Sequence, residues 1–478
     1  MLRSIAGGPS VKGVGGWRVC TLWPATLHRL LKVRKGVLNP VSAIEARLHL
    51  VPRYRQRLAF VPLGQGRPQW VDDPYFNPRY HIRHTALPAP GGDRELKNLA
   101  ARLFGQRLDR NKPLWEIWLV EGHRDGGFAL VSKTHHALVD GVSGVDIVSV
   151  LFDTAPDPAP PSTPLRAWEA RPVPTSAELL GRALVERATV PTEVARGVRR
   201  VTRTPRQVAG NVARGVGGIG SMVFAGLRPA PRTPLNVDIG PHRRYTWVDA
   251  DLGQFKAVKS ALGGTVNDVV LTAVSLTLGR WLRDHGHDTE GLVLKAMVPV
   301  SVRADAERGA LGNRVATMWA PLPVGVEDPR ACFDEVHAAM GGLKESGQAV
   351  GAETLTQLAD FAPPTIMNQA ARLQARQRYF NLVVTNVPGP QLQLYLLGRP
   401  LRGLYPVVPL AQRQALGIAI MSYDGRLGFG LLADFDALPD LDVIGTHLEE
   451  AIADLAAAAG VAEERATRFR KTSPARTR

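Results

Sequence analysis

Cysteine is the scarcest chemistry-bearing residue in the chain. Cys20 and Cys332 are the only two in 478 residues, far apart and without metal-ligand spacing, so neither a disulfide framework nor a zinc site is expected. Redox chemistry and a structural metal are therefore not expected either. Long apolar runs are also missing: no stretch reaches the roughly eighteen consecutive apolar residues of a membrane span. The amino terminus lacks the uninterrupted apolar core of a signal peptide, so a cytoplasmic protein is the expectation. Aromatic residues make up only 6%, and no helix-turn-helix, zinc-finger or RNP signature is present, so nucleic acid is a poor partner for this chain. Yet the net charge is +16, which asks for something anionic. An anionic lipid surface or the phosphates of coenzyme A remain.

Acidic residues are absent from positions 1–42, which hold seven Lys or Arg interrupted by Gly-Gly pairs and by Pro9, Pro24 and Pro40. This segment reads as atypical and basic rather than as core. Regular patterning begins at Ala43. Ile44, Leu48 and Val51 give a helix ending near Pro52, Gln69 to Val71 a short strand, and Leu96 to Leu108 a helix with Leu96, Leu99 and Leu103 on one face. Leu114 to Val120 alternates at period two and should pair with the apolar run Phe128 to Val131. A proline-rich stretch, 155–164, closes this first region of 43–160. Next comes an arginine-rich crossover, 161–234. Its part from Arg166 to Arg232 has twelve Arg against four Glu, a net +8 and half the charge of the whole chain. Leu179, Leu180, Leu184 and Val185, then Val194, Val198 and Val201, mark basic amphipathic helices there, of the kind that either bridge domains or lie on anionic lipid.

The second region, 235–463, alternates strand-like and helix-like segments. Tyr245 to Ala250, Leu294 to Val302, Val315 to Leu322, Leu382 to Thr385, Ala415 to Ser422 and Leu427 to Ala433 read as strands. Leu252 to Leu262, Val266 to Leu282, Arg330 to Ser346 and Ile444 to Ala459 read as helices. Residues 464–478 form a basic tail with too little apolar content to fold. The whole is an α/β protein of two sandwiched lobes.

The stretch around which the rest is arranged is His135-His136-Ala137-Leu138-Val139-Asp140-Gly141. It follows the Phe128–Val131 strand and precedes an amphipathic run from Val142 to Leu151. Side chains at a strand exit are held rigidly yet open onto a cleft. A neutral imidazole there can take the proton of a hydroxyl attacking a carbonyl, and one of the two histidines is a candidate general base. Asp140 can fix local geometry beside the free N–H groups of a helix start, with Gly141 allowing close backbone approach. Ser143 is a poor nucleophile, because no strained Gly-x-Ser-x-Gly turn surrounds it. Asn267 and Asp268 open a long helix, where capping and placement of a substrate or catalytic loop are both open roles. Trp115 is either core or a substrate contact. Arg243-Arg244 could meet CoA phosphates, or be solvated surface.

His135-His136-x-x-x-Asp140-Gly141 resembles the HHxxxDG motif of the CoA-dependent acyltransferase superfamily, which includes chloramphenicol acetyltransferase and peptide-synthetase condensation domains. Pro113-Leu114-Trp115-Glu116, Gly264-Thr265-Val266-Asn267-Asp268, Pro299 to Arg303 with Gly312-Asn313, and Asn386-Val387-Pro388-Gly389-Pro390 narrow it. In order and spacing they resemble the bacterial wax ester synthase/diacylglycerol acyltransferase family from about Ala43 to about Glu463. The resemblance implies two chloramphenicol-acetyltransferase-like lobes, each a mixed sheet with packed helices, and an active-site tunnel between them. It implies acyl transfer from acyl-CoA, a substrate rather than a cofactor, to diacylglycerol or a long-chain alcohol. His136 would be the base, His135 would shape the turn, and Asp140 would hold the loop through Arg303. The rivals are a condensation-type enzyme fed by a carrier protein and an inactive lipid-surface protein. Peripheral attachment to the inner membrane face or to lipid droplets follows from apolar substrates and a basic chain. The family's first strand has no clear counterpart here, and Arg18 to Trp23 is the candidate replacement.

Overall fold

A computed structural model describes residues 25–30, 40–62, 66–139, 150–158, 168–185, 229–301, 315–345 and 379–461. The candidate first strand at 18–23 lies outside them. The basic segment 1–42, which reads as non-core in sequence, nevertheless contributes a strand, β1 (Ala25–Leu30), antiparallel to two neighbours. Its sequence has one β-branched residue and no clean alternation, so its pairing partners decide its conformation rather than local propensity.

The helix expected from Ala43 to Pro52 is shorter, α1 (Pro40–Glu45), followed by 3-10 turns at Leu48–Leu50 and Pro52–Arg55. Pro52 has no N–H to donate and cannot continue a helix, while the turns keep Leu48, Val51 and Tyr54 buried. A hairpin follows, β2 (Gln56–Ala59) with β3 (Gln69–Asp72). After α2 (Pro78–His81) come β4 (Ile82–Ala86), α3 (Asp93–Gly105), β5 (Trp115–Glu121) and β6 (Phe128–Thr134). α3 starts where Glu95 reaches back to accept from the Gly92 N–H at 2.8 Å, and it buries Leu96, Leu99 and Leu103 as expected. α4 (His136–Val139) is a single turn, and α5 (176–185) sets Leu179 and Ala183 against Ala59, Val61 and Val71 while leaving Leu184 and Val185 exposed. The arginine-studded run from Val194 to Arg203 lies outside the described residues.

The second half runs β7 (Arg243–Asp251), α6 (Leu252–Leu262), α7 (Val266–Asp284), β8 (Val293–Ser301), β9 (Val315–Pro323), α8 (Pro329–Glu345), β10 (Leu382–Val387), β11 (Tyr395–Leu396), β12 (Arg399–Val407), β13 (Leu416–Tyr423), β14 (Arg426–Asp434) and α9 (Leu441–Ala458). Its sheet has the order β7-β14-β13-β10-β8-β9, with β10 parallel to both neighbours and the rest antiparallel. Four helices cover one face: Phe255, Val270, Val274, Phe333, Ile444 and Leu448 meet alternate β14 residues Leu427, Phe429 and Leu431 in one core. α7 satisfies the length and composition of a membrane span only when joined to α6 across a 98° bend, and its fully buried Val270, Leu271, Val274 and Leu278 mark it as a core helix.

The other sheet, β11-β12-β1-β6-β5-β4, takes β12 and β11 from the second half of the chain. β12 lies along β14, and Gly428 and Gly430 make this possible, because a Cβ at either would fall on the carbonyl oxygens of Leu404 and Pro406. Tyr405 then stacks on Trp247 at 5.1 Å, and Tyr245 donates to the Tyr405 carbonyl at 3.3 Å. The two halves are thus sealed by an apolar seam of α3, β6, β7, β12 and β14 side chains.

Candidate active site

Every residue of β6 is buried, including Lys133, whose ammonium donates to the Gln106 carbonyl at 2.8 Å. Burial lowers the Lys133 pKa, with Glu116 nearby opposing the shift. The strand ends at Thr134, and the next backbone group, the His135 N–H, donates to the Leu114 carbonyl at 2.8 Å. Leu114 belongs to the Pro-Leu-Trp-Glu stretch, so that stretch fixes the point where the double-histidine turn leaves the sheet. The His135 ring is exposed and its Nδ1 accepts from the Ala137 N–H at 3.1 Å, while the Leu138 N–H closes a turn on the His135 carbonyl at 2.8 Å. Accepting at Nδ1 puts the ring proton of neutral His135 on Nε2. His136 then opens α4. The His136 side chain, Asp140, Gly141, Arg303 and Gly312-Asn313 lie outside the described residues, as does the pairing of Asp140 with Arg303.

Trp115 is fully buried, its Nε1 donating to the Tyr54 carbonyl at 2.8 Å. Its ring stacks on His81 at 4.6 Å, and His81 Nδ1 donates to the Trp115 carbonyl at 2.8 Å. Trp115 is therefore a pin for the strand rather than a surface for substrate. His81 had no local signal in the sequence, since its partner lies 34 positions away. Burial lowers its pKa, only partly offset by the bond to Trp115. The neighbouring Glu116 takes Trp118 Nε1 at 3.1 Å and Arg83 at 3.5 Å.

In the second half, the Thr265 hydroxyl accepts from the Asp268 N–H at 3.2 Å and Asp268 Oδ2 accepts from the Thr265 N–H at 2.9 Å, a reciprocal cap on α7. The same Oδ2 pairs with His337 Nδ1 on α8 at 3.0 Å. Gly264, at φ +137°, leaves the space: a Cβ there would stand 3.0–3.1 Å from Phe333, Asp268 and His337. Asp268 thus fastens two helices together, and its Oδ1 is buried without a hydrogen-bond partner among the described residues. Asn267, one position earlier, is half-buried. His337 was not legible in sequence, because it pairs across 69 positions.

The Asn-Val-Pro-Gly-Pro stretch leaves the end of β10 with Val387 packed into the first-half core beside Leu138 and Met421. Gly389 lies against Ser422, whose hydroxyl accepts from the Gly389 N–H at 3.1 Å and from Gln391 Nε2 at 2.8 Å. Arg243 and Arg244 are engaged by the protein itself. Arg243 Nη1 donates to the Gly240 and His242 carbonyls at 2.6 and 2.7 Å, and the Arg244 guanidinium lies 3.9 Å over the Phe435 ring. Burial pushes the Cys332 thiol up to about 12, leaving it no thiolate at neutral pH. Among the described residues no group of three or more His, Cys, Asp or Glu is placed to hold a metal.

Comparison with known proteins joins these pieces. The wax ester synthase/diacylglycerol acyltransferase catalytic domain matches residues 18–270 and the WS/DGAT C-terminal domain residues 311–456. The chain belongs to this family. It is an O-acyltransferase of the family's CoA-dependent kind. A Mycobacterium tuberculosis protein bearing the name diacylglycerol O-acyltransferase is 34% identical over 420 residues, 87% of this chain and 81% of that protein. The tgs1 diacylglycerol O-acyltransferase of the same species is 32% identical over 419 residues, 87% of each chain. The solved wax ester synthase/diacylglycerol acyltransferase of Marinobacter aquaeolei superposes with a TM-score of 0.62 at 28% identity, covering 91% of this chain and 94% of that one. The starter condensation domain of rhizomide synthetase, solved with C8-CoA, shares the fold at TM-score 0.52 and 14% identity, over 91% and 89% of the chains. The two-lobed mixed α/β architecture of the family is the one described above.

Proposed function

We propose that this acyltransferase moves a fatty acyl group from acyl-CoA to the free hydroxyl of diacylglycerol, and to long-chain alcohols, with His136 as general base. The observation that carries the reading is the double-histidine turn at the exit of the fully buried β6, locked to the Leu114 carbonyl in a chain of this family. His136 takes the proton of the acceptor hydroxyl as its oxygen attacks the thioester carbon. The C–S bond then breaks and the departing CoA thiolate receives the proton from His136, so no acyl-enzyme forms. Diacylglycerol as acceptor is supported by the names of the two mycobacterial relatives. The enzyme works from the cytoplasmic side, attached peripherally to the inner membrane face or to lipid droplets. Supporting this are the apolar substrates, the net +8 between Arg166 and Arg232, and the fact that no single described helix is long and apolar enough to cross a membrane.

Purified protein assayed with radiolabelled acyl-CoA against diacylglycerol, fatty alcohols and no acceptor tests the reading, with an acyl-carrier-protein thioester as a second donor. Labelled triacylglycerol and wax ester from acyl-CoA are expected, with both lost in His136→Ala. Turnover only from the carrier thioester, or full activity in folded His136→Ala, overturns it. Sedimentation with anionic and neutral liposomes tests the attachment, which should require anionic lipid and weaken in high salt.

A further inference from the structure

α2 is a single turn whose limits are set by its own sequence. Asn77 caps it, its Oδ1 accepting from the Arg79 N–H at 3.0 Å, and Pro78 supplies a preset first position. At the other end Arg83 Nε donates to the Tyr80 carbonyl at 3.0 Å as β4 begins. His81 is the last residue of the turn and is carried inward against β5, where it is fully buried. The β4–β5 ladder starts at Ile82 opposite Ile117, so no residue of β4 stands opposite Trp115. The imidazole fills that place, with Nδ1 at 2.8 Å from the Trp115 carbonyl. A carbonyl only accepts, so the neutral ring carries its proton on Nδ1.

The peptide held by this bond adjoins the one that holds the double-histidine turn. The Leu114–Trp115 peptide is fixed at both ends, its N–H donating to the Pro113 carbonyl at 2.9 Å and its carbonyl accepting from the His135 N–H at 2.8 Å. The next peptide, Trp115–Glu116, carries the carbonyl to which His81 donates. The two rigid planes meet at the Trp115 Cα, so fixing the second limits rotation of the first. Packing alone does not call for a histidine here. Phe76 and Trp115 lie nearly parallel to the ring at 5.5 and 4.6 Å, and Tyr80 meets it edge-on at 5.1 Å, surroundings in which a phenyl ring would pack. Burying a polar ring among aromatics costs desolvation unless its hydrogen bond is made. What imidazole adds over phenyl is one directed donor.

We propose that His81 is a positioning residue for acyl transfer: its Nδ1–H, rather than its ring volume, orients the Trp115 carbonyl and, through the adjoining Leu114–Trp115 peptide, sets where the double-histidine turn presents His136. With His136 as the general base proposed above, a small displacement of the turn slows the chemical step and leaves substrate binding intact.

Two substitutions separate donor from ring. His81→Phe keeps an aromatic ring without a donor, whereas His81→Asn keeps a donor without a ring, its amide nitrogen standing about where Nδ1 stands. Both are assayed below their melting temperatures with acyl-CoA and diacylglycerol, together with amide hydrogen exchange across residues 135–138. His81→Phe is expected to lower kcat about tenfold to a hundredfold at unchanged KM, and to speed exchange of the His135 and Leu138 amides. His81→Asn should recover most of kcat and the slow exchange. A role in packing alone predicts the reverse order, an active His81→Phe and an impaired His81→Asn. That order, or equal loss of rate in both, overturns the assignment. His81→Leu, a second side chain without a donor, replaces His81→Phe should the latter not fold, and the same loss is expected of it. His136→Ala in the same series tells two failures apart. If it retains its rate, the base assignment has failed; if it is inactive while His81→Phe keeps full kcat, only the positioning has failed.

Discussion

The exit of β6 and the start of α7 are held by opposite means. At β6, the backbone does the fastening: His135 hangs from the Leu114 carbonyl by its N–H, and the neighbouring strand is pinned by the Trp115 indole on Tyr54 and by the stacked His81. At α7 the titratable side chain is itself the fastener, since Asp268 Oδ2 holds both the Thr265 N–H and His337. A side chain used as a clamp is not available for chemistry, whereas one that follows a backbone clamp is. Substitution at His136 should therefore be felt in rate, and substitution at Asp268 in stability.

The largest effect expected is at His136, where replacement by Ala should lower turnover by about a hundredfold to ten-thousandfold with an unchanged melting temperature. Steady-state rates and thermal denaturation of the same preparation check this. Next comes Trp115→Ala, which should cost about 3–5 kcal/mol of folding stability because a fully buried indole is removed. Trp115→Phe keeps most of the ring but strands the Tyr54 carbonyl, at about 1–3 kcal/mol. Denaturant titration measures both, and an unaltered KM in Trp115→Phe marks the residue as a pin. Asp268→Ala should cost about 1–3 kcal/mol through loss of the cap and of the His337 contact, with the rate per folded molecule preserved. A normal melting temperature combined with a lost rate would reverse the comparison.

The smallest effects come from pH. Burial lowers the folded pKa of His81 below its ordinary 6.5, so the unfolded chain protonates first and stability falls as pH drops below that value. His81→Asn should flatten this limb of the stability profile. Asp72 is held down to about 2, first by its hydrogen bond from Arg171 and then by Gln56. Its contribution is complete above the ordinary 3.8 and disappears as pH falls towards 2, and Arg171→Ala should move that loss upward.

Most of the elements that frame the site were legible because local pattern and final burial agree. α6 begins and ends at the predicted Leu252 and Leu262, and β5 and β6 form the predicted pair. The PLW, ND and NVPGP stretches could be located by resemblance, and capping of α7 was one of the two readings open for Asn267-Asp268, but their long-range partners were not legible. Trp115 and Asp268 take their partners, Tyr54 and His337, from 61 and 69 positions away, and no periodicity encodes that. β12 was missed outright. Pro400 and Pro406 argue against an interior strand, yet β12 lies between β11 and β1. β4 escaped because Ile82 to Ala86 is short and half polar, and its assignment depends on parallel pairing with β5.

The insertion of β12 beside β1 also sets a timetable for the chain as it is made. Ala25 pairs with Val407, and Leu30 with Leu401, so the first sheet cannot close until the chain has been synthesised past Val407. At about 5–20 residues per second, the interval between making these two strands is roughly 20–75 s. Throughout it, β1 has an open flank, and its final partner β12 belongs to the half of the molecule that also packs it against Gly428 and Gly430. The sheet that carries the double-histidine turn is therefore complete only once β12 has joined it from the second half of the chain.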